Sequence, residues 1–260
     1  MSIHLLCLDF DGTIMVYENA SAHFHADVIR ALNKLAERGV AWITNSGRDF
    51  DDQRRILERS RAHGLRHDPA ALICREGLIY NRVNQHYEPV EPWNTRARES
   101  MRRLHGDLQA DQRDVLRDLV QRYEPHEAHF HRDATVFLMG GREADTARLV
   151  AELDGLATRV PGGMVLRNGE WIAILPRHLG KGNTLRTYLE MNNLSGRHVL
   201  AIGDHGNDIS MLDGSVSRLV GCPGDAHPAV IETVSRAGGY VAREAGPLGT
   251  LDVLCRFDLA

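Results

Sequence analysis

The sequence lacks several features that mark specialised classes of protein. Its 260 residues include four cysteines, and no two of them form a Cys-x-x-Cys pair. No segment approaches the roughly 20 apolar residues of a membrane span, and the N-terminus has no basic leader followed by a long apolar stretch. We therefore expect a protein of the reducing cytoplasm that is neither secreted nor inserted into a membrane.

The charge of the chain disfavours a large class of partners. The formal net charge is −4 at pH 7, so the chain has no global basic field with which a nucleic-acid-binding protein gathers phosphates. Hydrophobic residues make up 43% of the chain and charged residues 25%, which is typical of a globular protein able to bury a core. We expect a small-molecule substrate and no nucleic acid, and a monomer, with a dimer as the alternative.

Alternating strand and helix patterns predict an α/β core that is interrupted in sequence. The apolar run of residues 3–8 is typical of a strand buried on both faces. Strand and helix patterns then alternate up to residue 83 and resume after residue 177, which predicts parallel strands with right-handed crossovers. We therefore predict a doubly wound parallel-sheet core of residues 1–83 and 178–260. Residues 84–177, with arginine-rich helical patterns and short strands, are predicted to form an inserted α+β domain.

The first acidic motif, LDFDGT, follows the first predicted strand directly and contains Asp9 and Asp11. Ligand sites of open α/β sheets form at the carboxyl ends of strands. The turn that begins at Gly12 lets the two carboxylates diverge, one toward an incoming phosphorus atom and one toward its leaving group. One can then attack while the other carries the proton. Asp and Gly are also common in ordinary turns after strands, which is the alternative interpretation.

The second acidic motif, GDHGND, supplies Asp204 and Asp208 after another predicted strand. Four carboxylates at one sheet edge would repel one another, and a divalent cation resolves that conflict. Mg²⁺ prefers oxygen ligands, so we predict Mg²⁺ as the cofactor. The candidate metal ligands are Asp9, Asp11, Asp204 and Asp208. A glycine-rich turn that caps a helix at Asn207 is the alternative.

Two further residues complete a predicted phosphate site. Ser46 lies in ITNSGR after the second predicted strand, and Lys181 lies in LGKGN at the start of a predicted helix. A hydroxyl and the backbone amides of a helix N-terminus hold phosphoryl oxygens, and a lysine ammonium bridges the nucleophile and those oxygens. The predicted phosphate ligands are Asp9, Gly12, Ser46, Gly47, Lys181 and Asn207.

In this order, LDFDGT, TNSGR, Lys181 and GDHGND resemble the four motifs of the haloacid dehalogenase (HAD) superfamily of phosphatases. The resemblance implies an HAD-like Rossmannoid core in which Asp9 is the nucleophile and a metal ligand. It implies that Asp11 is the general acid and base and offers its backbone carbonyl to magnesium. Asp204 would be a further metal ligand, and Asp208 would support the metal directly or through water.

The resemblance leaves two hydroxyls as candidates for the phosphate-binding position. Ser46 is preferred, because Ser46, Gly47 and Arg48 are similar to the TGR or SGR triplet of the family. Thr44 and Asn45 resemble another branch of the superfamily. The catalytic residues that the resemblance implies are Asp9, Asp11, Ser46 and Lys181.

The position of the insertion resembles the second cap type (C2) of Cof-like and sucrose-phosphate phosphatases. That resemblance implies a cap that closes over the core and selects the substrate. We expect a phosphatase that acts on a small phosphate ester, with sugar phosphates as the leading class and pyridoxal phosphate and nucleotides left open. The alternatives are a phosphotransferase similar to phosphomannomutase, which shares this cap type, and a non-catalytic binding module. A dehalogenase is disfavoured, because it has no leaving alcohol for Asp11 to protonate.

Overall fold

The fold is taken from a computed structural model of the chain. It describes residues 3–18, 21–111, 113–123, 127–130, 136–139, 143–157, 162–168 and 171–259. The chain divides into two compact units, one made of Met1–Val90 and Lys181–Ala260 and the other of Glu91–Gly180. Within the described ranges, every helix is too short or too polar to cross a membrane.

The strands are numbered along the chain. They are β1 (Leu5–Leu8), β2 (Met15–Glu18), β3 (Ser21–Phe24), β4 (Ala41–Asn45), β5 (Ala71–Cys74), β6 (Leu78–Val83), β7 (His86–Pro89), β8 (Glu127–Phe130), β9 (Val136–Met139), β10 (Gly163–Asn168), β11 (Trp171–Pro176), β12 (Val199–Ile202), β13 (Leu219–Cys222) and β14 (Tyr240–Val241).

The helices are numbered in the same way. They are α1 (Ala26–Glu37), α2 (Phe50–Ala62), α3 (Trp93–Asp111), α4 (Arg113–Tyr123), α5 (Glu143–Ala157), α6 (Lys181–Met191), α7 (Ile209–Leu212), α8 (Pro228–Arg236) and α9 (Gly246–Arg256). Short 3₁₀ turns cover Gly196–His198 and Gly206–Asp208.

The first unit contains a sheet whose described strands follow the order β14-β13-β12-β1-β4-β5-β6-β7. From β14 to β5 the pairing is parallel, and all four residues of β1 and of β12 are buried. Apolar strands buried on both faces are typical of a parallel sheet covered by helices on both sides. This arrangement confirms the predicted α/β class.

Two hairpins extend this architecture beyond the prediction. β5, β6 and β7 pair antiparallel, so the polar stretch placed by the sequence at the start of the insertion forms an edge strand of the large sheet. β2 and β3 form a separate two-stranded sheet. β7 has no buried residue, and β2 buries one of its four. β7, with the sequence HYEP, therefore lacks the apolar pattern by which strands are recognised, whereas β2, with the sequence MVYE, has an apolar run that the prediction did not use.

The start of α1 has an unusual N-cap. His25 occupies that position, and its Nδ1 accepts a hydrogen bond from the Asp27 backbone N–H at 3.2 Å. Asp27 lies in the first turn, where its negative charge complements the helix dipole. An imidazole nitrogen thus replaces the carboxylate or hydroxyl oxygen that usually caps a helix.

The second unit has a four-stranded antiparallel sheet in the order β10-β11-β9-β8. Leucines of α3 and α5 pack with isoleucines of β11 into a core of their own. The buried members of this cluster are Leu104, Leu108, Leu149, Leu153, Ile172 and Ile174. The unit is therefore α+β, with strands and helices that share one apolar core.

Gly182 of α6 supports a test of the packing in the first unit. Gly182→Ala should destabilise the protein by about 1–3 kcal/mol, because a Cβ there would overlap the backbone carbonyl of Ser210. Alanine is otherwise the better helix former by about 1 kcal/mol. Gly106→Ala in α3 is the matched control, since a Cβ there meets no atom within 4 Å. Thermal denaturation should show a lower Tm for Gly182→Ala alone; an unchanged Tm would contradict the packing.

Candidate active site

The two acidic motifs meet where three neighbouring strands end. β1 lies between β12 and β4, and Leu8 is in register with both Ile202 and Thr44. The residues that follow these strand ends therefore emerge at the same carboxyl edge of the sheet. The Asp9 backbone N–H continues this pairing, because it donates to the carbonyl of Ile202 at 3.0 Å.

Lys181 lies at the centre of this edge with no exposed surface. Its Nζ lies 2.7 Å from Asp9 Oδ1 and 2.5 Å from Asp208 Oδ1. Burial alone would lower the pKa of Lys181, but the charges of Asp208 and Asp9 outweigh it and raise that pKa. The lysine is therefore a permanent cation that joins two predicted site residues.

Negative charge exceeds positive charge at this position. Asp9, Asp204 and Asp208 each offer an oxygen within 4.8 Å of the others. Burial raises the pKa of Asp9 well above its usual range, and the charge of Asp208 adds to this rise against that of Lys181. Burial and Asp208 also raise the pKa of Asp204 to about 7. The single positive charge of Lys181 therefore does not balance the three carboxylates.

The second oxygen of Asp9 shows where a ligand would be received. Asp9 is 2% exposed, and its Oδ2 is buried without a hydrogen-bond partner in the described part of the chain. Burying such a carboxylate oxygen costs free energy unless a cation or a hydrogen-bond donor pairs with it. The donor set of three carboxylates is the hard oxygen chemistry that Mg²⁺ prefers. These residues therefore fit the predicted metal.

The oxygens of Asp208 are engaged within the protein, unlike Oδ2 of Asp9. Oδ1 binds Lys181, and Oδ2 accepts hydrogen bonds from the backbone N–H groups of Asp204 and His205 at 3.1 and 2.9 Å. Asp208 therefore positions both the lysine and the loop that carries Asp204. This arrangement agrees with a role in supporting the metal.

Position 12 requires glycine, because the two acidic motifs approach each other closely there. Its φ is +67°, and a Cβ at this position would overlap the carboxylate of Asp204. Thr13 donates from its hydroxyl to Asp204 Oδ1 at 2.9 Å. The turn after β1 therefore holds Asp204 through Thr13 and makes room for it at Gly12.

The structure distinguishes the two candidate hydroxyls. Thr44 is fully buried, and its Oγ1 donates to Gln53 Oε1 at 2.6 Å. The Ser46 hydroxyl accepts a hydrogen bond from the backbone N–H of Arg48 at 3.2 Å, so its own proton is available to a ligand. Asn45 donates to the Lys181 carbonyl at 3.0 Å and so holds the start of α6. The geometry supports Ser46 as the phosphate-binding hydroxyl.

Asp11 has two partners that the sequence analysis did not identify. Arg48 binds both of its carboxylate oxygens, at 2.8 and 2.7 Å, and the hydroxyl of Tyr17 donates to Oδ1. Burial would raise the pKa of Asp11, but the hydrogen bonds and charge of Arg48 and the bond from Tyr17 lower it. Tyr17 lies on β2, a strand that the sequence pattern did not reveal, so no sequence signal connected it with Asp11.

Asn207 also has an unpredicted partner. Glu76, in the turn after β5, is buried, and its Oε1 accepts a hydrogen bond from Asn207 Nδ2 at 2.8 Å. Glu76 follows the end of a strand in the sequence, as the motif residues do. That position was the signal by which the sequence could have identified it as a site residue.

Comparison with known proteins places this geometry in a family. The model of the sucrose-6F-phosphate phosphohydrolase family matches residues 3–257. The solved sucrose-phosphatase of Synechocystis sp. PCC6803, in complex with sucrose and phosphate, is 19% identical with a TM-score of 0.69, over 99% of each chain. No curated protein sequence matches the chain.

Two further solved structures share the fold. A haloacid dehalogenase-like hydrolase from B. subtilis is 15% identical with a TM-score of 0.63, over 98% of this chain and 99% of that one. BT1666 from Bacteroides thetaiotaomicron, a phosphatase of the HAD superfamily, is 15% identical with a TM-score of 0.64, over 100% and 96%. At these identities the likeness establishes the fold, as predicted from the motifs.

Magnesium binding should weaken as the pH falls through about 7, because protons then compete for Asp204, whose pKa is raised to about 7. Added Mg²⁺ should raise the Tm more at pH 8 than at pH 6, since a ligand of the folded state stabilises it. Asp204→Asn should lose most of this shift, whereas the exposed Asp213→Asn should retain it. An equal Mg²⁺ effect at both pH values would argue against the site.

Arg48→Met should raise the pKa of Asp11, because burial remains while the opposing charge and hydrogen bonds are lost. A lowered pKa contributes stability above the unfolded-state value and loses it as the pH falls through the folded-state value. The variant should therefore not show this loss of stability at acidic pH. Carboxyl ¹³C NMR titration measures the pKa directly. Arg66→Met, which breaks an exposed pair with Glu37, is the control and should leave Asp11 unchanged.

Proposed function

The chain belongs to the sucrose-6F-phosphate phosphohydrolase family, and from this premise we propose that it hydrolyses a small sugar phosphate through an aspartyl-phosphate on Asp9. The family and the HAD fold make it a phosphoric monoester hydrolase. The observation that carries the proposal is the buried Asp9 carboxylate, which is held by Lys181 through one oxygen and has no partner on the other.

The arrangement of Asp9 supports a role as nucleophile. Its position at the end of β1, with Lys181 fixed on Oδ1, holds the carboxylate in one orientation at the edge where ligands of α/β sheets bind. In the first step a carboxylate oxygen of Asp9 attacks phosphorus, and the bond from phosphorus to the leaving oxygen breaks. The Lys181 ammonium offsets negative charge on the phosphoryl oxygens as that step proceeds.

The proposed site for Mg²⁺ consists of Asp9, Asp204 and Asp208, with the backbone carbonyl of Asp11. When bound, the ion would neutralise charge on the phosphoryl group and on the carboxylates. Asp9 and Asp204 provide oxygens within 4.8 Å of each other, and Asp208 fixes the loop and the lysine beside them. Without that counter-charge, the raised pKa values of Asp9 and Asp204 would favour protonation of groups that must be ionised to work.

Asp11 is the proposed proton donor and acceptor. It protonates the leaving alcohol in the first step, and in the second step it takes a proton from the water that attacks phosphorus and releases Asp9. Arg48 and Tyr17 stabilise its ionised form, which is the form needed in the second step. Because the first step requires the acid form, Asp11 must be protonated, and its bonds to Arg48 loosened, when the substrate is bound.

A sugar phosphate is the proposed substrate class, and sucrose 6F-phosphate is the first compound to test. The solved sucrose-phosphatase of the same fold is in complex with sucrose and phosphate, which supports a sugar phosphate as the substrate of this chain. Family membership favours transfer of phosphate to water over transfer to a second sugar, which the phosphomutase alternative requires.

Phosphate release is to be assayed with sugar phosphates, nucleotides and pyridoxal phosphate in turn. Release should require Mg²⁺ and be abolished by EDTA. Asp9→Asn should lower kcat by more than about a thousandfold. Ser46→Ala should lower kcat/KM by about 10²-fold or more, as when one donor to a developing charge is removed. Thr44→Val is the matched control and should change stability more than activity, because its hydroxyl binds Gln53.

The covalent intermediate has its own test. Acid quenching during turnover of substrate labelled in its phosphate should leave protein-bound label in the wild type and none in Asp9→Asn. In the Asp11→Asn variant the aspartyl-phosphate should form or break down slowly. Label that persists in Asp9→Asn would refute Asp9 as the nucleophile. Product analysis with a second hexose present separates hydrolysis from phosphate transfer.

A further inference from the structure

One carboxyl group with no role in the mechanism above lies among the predicted phosphate ligands. Glu76 is 6% exposed, and its Oε1 accepts the hydrogen bond from Asn207. The same oxygen lies 3.4 Å from where a Cβ would stand at Gly47. The charge of Lys181 opposes the rise in the pKa of Glu76, so the ammonium lies close to it. Three predicted phosphate ligands, Gly47, Lys181 and Asn207, therefore lie near this carboxyl.

The backbone is strained where it presents Glu76. Arg75 and Glu76 have φ values of +48° and +56°, in the left-handed region that non-glycine residues rarely adopt. The Glu76 backbone N–H donates to the carbonyl of Ser46 at 3.2 Å, and its own carbonyl accepts from Thr184 Oγ1 at 2.8 Å. Contacts from two sides thus fix an unfavourable turn, and the result is a carboxyl group held in the site.

The second oxygen of this carboxyl is unsatisfied. Glu76 Oε2 is buried and has no hydrogen-bond partner in the described part of the chain. Burial raises the pKa of Glu76 despite the opposing effects of Lys181 and the Asn207 hydrogen bond, and the charge of Asp208 raises it further. An ionised group here would repel a phosphate dianion, whereas a protonated one is a hydrogen-bond donor.

Building on the phosphatase activity proposed above, we propose that Glu76 is a phosphate-binding residue that acts as a neutral carboxyl group. Oε1 accepts the hydrogen bond that orients the Asn207 amide, and the protonated Oε2 donates a hydrogen bond to a phosphoryl oxygen. This donation adds a phosphate contact without adding charge beside Asp208 and Lys181. Glu76 takes no part in proton transfer, so it acts on phosphate affinity and KM more than on kcat.

Two substitutions of Glu76 test this role. Glu76→Gln keeps an acceptor for Asn207 and a donor for phosphate, so inorganic phosphate, titrated calorimetrically with Mg²⁺ present, should bind within about threefold of the wild type. Glu76→Met keeps the volume but has neither the donor for phosphate nor the acceptor for Asn207, and phosphate binding should weaken about tenfold or more, as expected for a lost hydrogen bond to a charged group. KM should follow the same order. The Tm of Glu76→Met should also fall, because the buried Asn207 amide loses its acceptor.

Other results would overturn the role. Tighter phosphate binding by both variants would show that Glu76 is ionised and repels the ligand. Equal affinity in all three proteins, or a loss confined to Tm, would show a structural role. Phosphate binding does not depend on turnover, so absence of hydrolysis by the wild type would count against the proposed function alone. A wild type that binds no phosphate would refute both.

Discussion

The ion pairs of Lys181 are the interaction on which the rest of the first unit depends. A fully buried ammonium is unfavourable unless charged partners surround it, and here Asp9 and Asp208 provide them. Because these groups come from the end of β1, from α6 and from the turn of Gly206–Asp208, satisfying one charge fixes three segments against each other. Asn45 then holds the backbone of Lys181 itself. The same contacts that satisfy the lysine also orient the nucleophile.

The site is built with more negative charge than its own cation balances. The raised pKa values of the buried carboxyls Asp9 and Asp204 favour their protonated forms until a cation is present, which links metal binding to pH. Asp11 differs, because Arg48 balances it locally and keeps it ionised. Two carboxylates only two residues apart in sequence thus acquire opposite pKa shifts, and this separation suits a nucleophile and a proton carrier with different tasks.

Much of the core was predictable because its signal is local. Strands β1 and β12 are apolar throughout and end at acidic turns, so periodicity located both the strands and the residues at their ends. The β2–β3 and β6–β7 hairpins were missed, in whole or in part. β7 is polar and buries no residue, and β2, although three of its four residues are hydrophobic, buries only Met15. Their pairing depends on neighbours in the sheet and not on their own pattern.

The sequence by itself determined which residue types stand at the strand ends, and hence the superfamily, the nucleophile candidate Asp9 and the candidate lysine. It preferred Ser46 and kept Thr44 as the alternative; the structure places Thr44 within β4, where its hydroxyl donates to Gln53. The tertiary structure alone brought Glu76 to Asn207, 131 residues away. Such contacts depend on how the crossovers order the strands, and local propensity carries no record of that order.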